Sequence, residues 1–408
     1  MSRFLFVVPP LVGHINPLVG VAAALTGRGH QVAWAGLPDA VHRLAGQDAR
    51  VFPSPATWTD GPERPADIRG PEALRFLWER FLVPLADAMA EGVRDAVEVF
   101  RPDVLVADQQ AAAGGLVAER LRVRWATSAT TSAEFADVLA SMPKVAAWNE
   151  ALLQELRGRI GAPDGTADPR FSPHLVLAFT TQELAGPPAR GGDRIRWVGP
   201  SLAARPSPAG FPWEWFDPER AKVLVTLGTA NTDVGERFLT ECARALRARA
   251  DRMQAVIVDP EGVVDAGSAH GDQDKDLLCV PLVPQLALLR HVDAVVCHAG
   301  HNTVCESLWH GVPLVVAPIR DDQPVIAAQV ADAGAGVRVR FGRATEARIG
   351  AAVDAVLYTP GYRAAAREIG SAFRAAGGAE AAATHLELLA RDDDTYTAST
   401  RAPEENAV

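Results

Sequence analysis

Short apolar runs return along the chain at intervals that leave room for a helix between them. In the first half they are Phe4–Val8, Gln31–Ala35, Val51–Phe52, Val104–Ala107 and Arg124–Ala126. The second half has Lys222–Leu227, Met253–Val258, Leu277–Val280, Ala294–Cys297, Pro313–Val316 and Gly336–Arg340. Most lack the polar alternation of a half-exposed strand, so they read as strands of parallel sheets covered by helices on both faces. Helical patterns over Leu18–Thr26, Pro71–Val97 and Ala111–Leu121 supply such helices in the first half, and Tyr362–Phe373 and Glu380–Ala390 close the second. The alternation predicts an α/β chain of two Rossmann-like, doubly wound domains.

The two sets are separated by GPSLAARPSPAGFPWEWFDP, where Pro, Gly and Ser punctuate the chain instead of continuing an element. The expected organisation is a first domain over 1–200, a linker over 201–220 and a second domain over 221–376. A C-terminal helix over 377–391 can pack back on the first domain, and the polar stretch 392–408 is expected to be disordered. Pro206 and Gly210 make the linker a candidate hinge. The length of 408 residues agrees with two cores.

Charge and cysteine content narrow the function. The formal net charge of −10 disfavours nucleic acid as a partner, because backbone phosphates need clustered cations. No apolar stretch is long enough for a transmembrane helix, and MSRFLFVVPPLVGHINP reads as a first core strand and turn, not a secretory leader. Cys242, Cys279, Cys297 and Cys305 form no metal or redox pair, which fits reduced thiols and a cytoplasmic location.

Two segments carry candidate chemistry. After the first strand, the turn containing Gly13 and His14 lacks the Gly-x-Gly-x-x-Gly spacing of a dinucleotide site and places an imidazole at a strand end. His14 there is either a turn residue or a general base aimed into the crevice. Asp108 ends the run PDVLVAD and either caps the next helix or orients His14. In the second half, VDAVVCHAGHNTVCESLWHGVPLVVAPIRDDQ places Asn302 and Thr303 at a helix start, where backbone N–H groups suit a diphosphate. His298 can donate to the same anion, Glu306 lies one turn further on to accept from a ribose, and Asp322 with Gln323 suits sugar hydroxyls. Each residue alone could be a cap or a solvated side chain. Their joint spacing argues otherwise.

The GHINP turn, the linker and the block from VPLVPQ to IRDDQ together resemble the GT-B fold nucleotide-sugar-dependent glycosyltransferases of family 1, the UDP-glycosyltransferase-like enzymes of bacterial natural-product and antibiotic biosynthesis. The resemblance implies that His14 is the general base and Asp108 its orienting acid. It implies that His298, Gly300, Asn302 and Thr303 grip the diphosphate, approached by Gly228 and Thr229 of the LGT turn. Glu306 would hold the ribose, Asp322 and Gln323 the sugar, and Leu282, Val283 and Gln285 would lie by the base. Where many plant relatives have a stacking Trp this chain has Leu282, which leaves UDP and dTDP donors both open.

The implied reaction is an inverting, metal-independent hexose transfer from a nucleotide sugar, with no cofactor, to a nucleophile of a lipophilic small molecule. The implied protein is a monomer or homodimer. The acidic string Asp272–Asp276 and the pair Asp321 and Asp322 read as surface turn and sugar site, and no metal is expected. Trp58, Trp78, Phe81, Phe135 and Met142 are candidates for an acceptor pocket, although aromatics in long helices are also ordinary core. A nucleotide-sugar epimerase of the same fold and a catalytically silent nucleotide-sugar-binding partner are the rival functions. An oxidoreductase lacks its glycine fingerprint.

Overall fold

A computed structural model of the chain describes residues 1–55, 65, 68, 70–203, 210–228, 235–264 and 274–391. Trp58, Pro206, Thr229, the first two residues of the Asp272–Asp276 string and the stretch 392–408 lie outside the described residues.

Two parallel sheets form. The first contains β1 (Arg3–Val7), β2 (Gln31–Gly36), β3 (Val51–Pro53), β4 (Val104–Asp108), β5 (Trp125–Ala129), β6 (Leu175–Ala178) and β7 (Ile195–Trp197), in the order β3-β2-β1-β4-β5-β6-β7. The second contains β8 (Ala221–Thr226), β9 (Met253–Val258), β10 (Leu277–Val280), β11 (Ala294–Cys297), β12 (Leu314–Val316) and β13 (Gly336–Arg338), in the order β10-β9-β8-β11-β12-β13. The unbroken apolar runs are explained by burial on both faces. In β1, Leu5 and Val7 enter one core while Phe4 and Phe6 enter another, and in β8 Leu224 faces away from Val223 and Val225.

Strand order reverses between β1 and β4 in the first sheet and between β8 and β11 in the second. In open α/β sheets the crevice at the carboxyl ends beside such a reversal is where ligands bind. His14 and Asp108 follow or end β1 and β4, and Gly228 and His298 follow β8 and β11, so both candidate sites fall at reversals.

Several elements differ from the pattern reading. β6 and β7 are additional, because their runs are only four and three residues long and sit among turn residues. The helix Pro143–Ile160 was hidden by its mixed surface, and the expected long helix over Pro71–Val97 is interrupted by a π-helical turn at Leu77–Leu82. Pro84, just beyond, has no N–H to continue the regular ladder. The first helix starts at Val12 and not near Leu18, with Pro17 inside it.

The last helix, Gly378–Ala390, packs against Val12–Gly27 of the first half, with Ala382, Ala383, Leu386 and Leu389 in the same core as Phe4 and Phe6. Arg28 bridges to Glu380 and Glu387, and His30 Nε2 lies 2.7 Å from Glu387 Oε1. Among the described residues no helix is long and apolar enough to cross a membrane.

Candidate active site

On the first half, His14 Nδ1 lies 2.8 Å from Asp108 Oδ1. Asp108 is 1% exposed, and its Oδ1 also accepts the N–H of Gln110 at 2.8 Å. That bond closes a local turn, so the aspartate anchors the backbone after β4 while it faces the imidazole. Thr130 Oγ1 donates to Asp108 Oδ2 at 2.8 Å and lies 2.7 Å from His14 Nδ1. A carboxylate can only accept, so the proton between the pair belongs to Nδ1 and the lone pair to Nε2. Burial by itself lowers the His14 pKa. The negative charge and hydrogen bond of Asp108, helped by Asp322 and Glu134, outweigh it and leave the pKa raised.

The second half builds its site from backbone and glycine. After β11 come His298, then Ala299 at φ +68°, then Gly300 at the start of the helix His301–Trp309. A side chain at Gly300 would put Cβ 2.3 Å from His298 Nε2, and one at Gly228, itself at φ +70°, would come within 2.6 Å of Cε1. The imidazole is therefore held between two glycines. Four non-glycine residues among those described have positive φ: Arg101 and Arg122 end helices, where this is ordinary, but Ala299 and Asp321 stand in the two turns of this site. Such a backbone costs about 1–2 kcal/mol per residue and marks turns shaped for something other than stability.

His298 is 7% exposed, and its Nδ1 has no hydrogen-bond partner among the described residues. Burial pushes its pKa down to about 4, against a bond to the Thr226 backbone and with help from the Arg320 charge. It is neutral at physiological pH, so any contribution to an anion is a hydrogen bond and not a charge. The first N–H groups of the helix after Gly300 have no intrahelical partners and add the positive end of its dipole. Glu306, 1% exposed, accepts from Gln285 Nε2 at 2.6 Å, which joins two of the candidate donor residues. Leu282 is 61% exposed and Val283 buried. Gln323 Oε1 accepts the N–H groups of Ile319 and Arg320 at 2.9 and 3.1 Å, fixing the turn that carries Asp321 and Asp322.

The halves meet at these groups. Pro17 has no N–H to give to the carbonyl four residues earlier, that of Gly13. Asn302 Nδ2 takes the place of that donor and bonds Gly13 O at 2.9 Å. Thr131 Oγ1 donates to Asp322 Oδ2 at 2.7 Å and Ser132 Oγ to Gln329 Oε1 at 2.6 Å. Between Asn302, Glu306 and the segment Pro200–Leu202 the cavity is only about 10 Å³.

The acceptor candidates scatter. Trp78 is 6% exposed beside Leu82 and Leu153, and Phe135 is 2% exposed and packs on Phe171 and Trp197. Phe81 is half-buried, while Met142 is exposed just before the helix Pro143–Ile160. Of the acidic string, Asp274 accepts the N–H groups of Asp276 and Leu277, and Asp276 pairs with Arg220 at 2.6 Å. Thr130, Thr131 and Arg320 were missed by sequence reasoning. The run ATSATTS offered only hydroxyls, which turns use everywhere, and Arg320 carried no spacing signal.

A family model described as UDP-glucoronosyl and UDP-glucosyl transferase matches residues 201–374, the linker and second half. Whole-chain relatives include 4'-demethylrebeccamycin synthase of Lentzea aerocolonigenes, 29% identical over 89% of this chain and 93% of that protein. Demethyllactenocin mycarosyltransferase of Streptomyces fradiae is 27% identical over 95% of this chain and 87% of its own length. Among solved structures, the glycosyltransferase of kitacinnamycin superposes with a TM-score of 0.77 at 25% identity, covering 95% of this chain and 98% of that one. With two parallel doubly wound sheets and glycosyltransferases as its whole-chain relatives, the chain is a glycosyltransferase of GT-B fold whose second half is similar to the UDP-glucoronosyl and UDP-glucosyl transferase family.

Proposed function

We propose that this enzyme transfers a hexose from a UDP- or dTDP-sugar to a nucleophile, chiefly a hydroxyl, of a lipophilic natural product, with inversion at the anomeric carbon. The carrying observation is the approach of the two halves: Asp322 of the second half lies near enough to His14 to raise its pKa, while Asn302 reaches the carbonyl of Gly13, the residue before the base. Base, sugar-binding turn and diphosphate-binding helix therefore converge on one point. His14 Nε2 removes the acceptor proton as the nucleophile reaches the anomeric carbon, and the helix at Asn302 stabilises the leaving diphosphate. Base and leaving group approach from opposite halves, which suits a single in-line displacement and needs no covalent intermediate.

His298 donates a neutral hydrogen bond to the diphosphate, with Gly228 and Gly300 leaving room beside it, and Arg320 supplies nearby positive charge. Gln285 orients Glu306 toward the ribose. Phe81 and Met142, each reachable at the surface of the first half, fit an acceptor wall better than the core residues Trp78 and Phe135. The two relatives, 4'-demethylrebeccamycin synthase and demethyllactenocin mycarosyltransferase, favour a natural-product acceptor of the antibiotic type and a cytoplasmic enzyme. Calorimetric titration with UDP and dTDP in EDTA, followed by NMR of the product formed from the matching α-glucose conjugate and a phenolic acceptor, tests the reading. Saturable binding and a β-linked product are expected; an α-linked product would rule out the single displacement.

A further inference from the structure

The chain leaves β5 and passes through three consecutive hydroxyl side chains, Thr130, Thr131 and Ser132, which are 4%, 3% and 0% exposed. The first bonds the His14–Asp108 pair, and the next two bond Asp322 and Gln329 of the opposite half. One short turn thus holds the base on one side and the sugar-binding half on the other. We propose that Thr130 is a positioning residue for the His14–Asp108 pair, and that Thr131 and Ser132 make this positioning depend on closure of the two halves. The inference rests on the transfer reaction proposed above.

The geometry gives the reason. The Asp108 side chain is fully buried, with Oδ1 committed to His14 and to the Gln110 N–H, and Oδ2 to Thr130. Without the Thr130 hydroxyl, Oδ2 loses that donor and the carboxylate is free to turn away from the imidazole. Because the hydroxyl proton goes to Oδ2, its oxygen presents a lone pair to Nδ1. The tautomer with Nε2 as base is then held from two directions.

Closure also sets the charge around the base. The groups facing His14 are Asp108 from β4, Glu134 from the turn just after Ser132, Asp322 from the second half, and the neutral His301, whose pKa burial pushes down to about 4. Opening the cleft breaks the Thr131–Asp322 and Ser132–Gln329 bonds and withdraws Asp322. An acceptor proton is removed efficiently only in the closed form, when the sugar is in place. Such gating limits wasteful hydrolysis of the donor.

The test uses the full chain with Thr130→Val, Thr130→Ala, Thr130→Ser and Thr131→Val. For each, kcat, KM for the glucose conjugate, the acid limb of kcat/KM against pH, the Kd of the nucleoside diphosphate and Tm are measured. Thr130→Val, and Thr130→Ala if valine is not accommodated, should lower kcat by ~10-fold or more and move the acid limb to lower pH, with the nucleoside diphosphate Kd within about two-fold of wild type. Thr130→Ser should restore both rate and limb. Thr131→Val should lower kcat and raise KM for the sugar conjugate, with some loss of Tm because the same hydroxyl accepts the Ala133 N–H and caps the turn Ser132–Phe135. Wild-type kcat and limb in Thr130→Val, or no recovery in Thr130→Ser, overturns the positioning role. Wild-type kcat and KM in Thr131→Val overturns its dependence on closure. Failure of folded wild-type protein to bind UDP or dTDP overturns the reaction itself, and this role with it.

Discussion

His14 and His298 occupy corresponding places, each in the turn after a central strand at a sheet reversal, and their surroundings drive them in opposite directions. Both are largely buried, so desolvation lowers both pKa values. Around His14 the carboxylates of Asp108, Asp322 and Glu134 reverse that effect; around His298 the Arg320 cation adds to it. One histidine has a raised pKa and a fixed tautomer, as the proposed base requires, and the other is a neutral hydrogen-bonding group near pKa 4. The lesson is that the position of a histidine on a fold does not decide its role. The sign of the neighbouring charge does.

Removing the first imidazole gives the largest effect expected from this contrast. His14→Ala should lower kcat by ~10²-fold or more while leaving the Kd for UDP or dTDP nearly unchanged, as general-base losses do. Turnover equal to wild type would remove His14 from the reaction. Next comes Asp108→Asn, which keeps an acceptor for Nδ1–H but deletes the charge. About 10²-fold loss in kcat/KM is expected, with the acid limb moving to lower pH because the His14 pKa falls toward its ordinary ~6.5. An unmoved limb would mean that some other group sets it.

On the second half, Gly228→Ala should weaken nucleoside diphosphate binding by about 10-fold or more. Its Cβ would meet the His298 ring at 2.6 Å from a backbone at φ +70°, a strain of about 1–3 kcal/mol. Calorimetry showing unchanged Kd would separate His298 from the donor. The smallest effect is on stability. The folded His14 pKa is raised, so the stability it contributes is fully present below its unfolded value near ~6.5 and is lost as pH rises through the folded value. The Tm difference between wild type and His14→Gln should therefore be greater at pH 6 than at pH 9. A constant difference would show that the charge on His14 does not stabilise the fold.

The buried strands were legible because a parallel sheet covered on both faces must be apolar on both, as Phe4–Val8 and Ala294–Cys297 are. β6 and β7 were not, because runs of four and three residues among turn residues carry too little periodicity. The turn after His298 could be read from Asn302 and Thr303 at a helix start, whereas the room that Gly228 and Gly300 leave for the imidazole came from the structure. Thr130 could not, since a hydroxyl beside other hydroxyls carries no signal until a carboxylate 22 positions earlier is brought to it.

By itself, then, the sequence determined two parallel α/β halves, and histidine, asparagine, glutamate and aspartate at strand and helix ends, because those follow from local periodicity and turn chemistry. The tertiary structure alone decided what each group meets. It set the proton of His14 by packing Asp108 and Thr130 against it, kept His298 neutral by burying it near Arg320, and gave the Gly13 carbonyl, freed by Pro17, to Asn302. Proton affinity and hydrogen-bond partnership depend on distances of a few ångströms between segments far apart in the chain, and local sequence does not carry such distances.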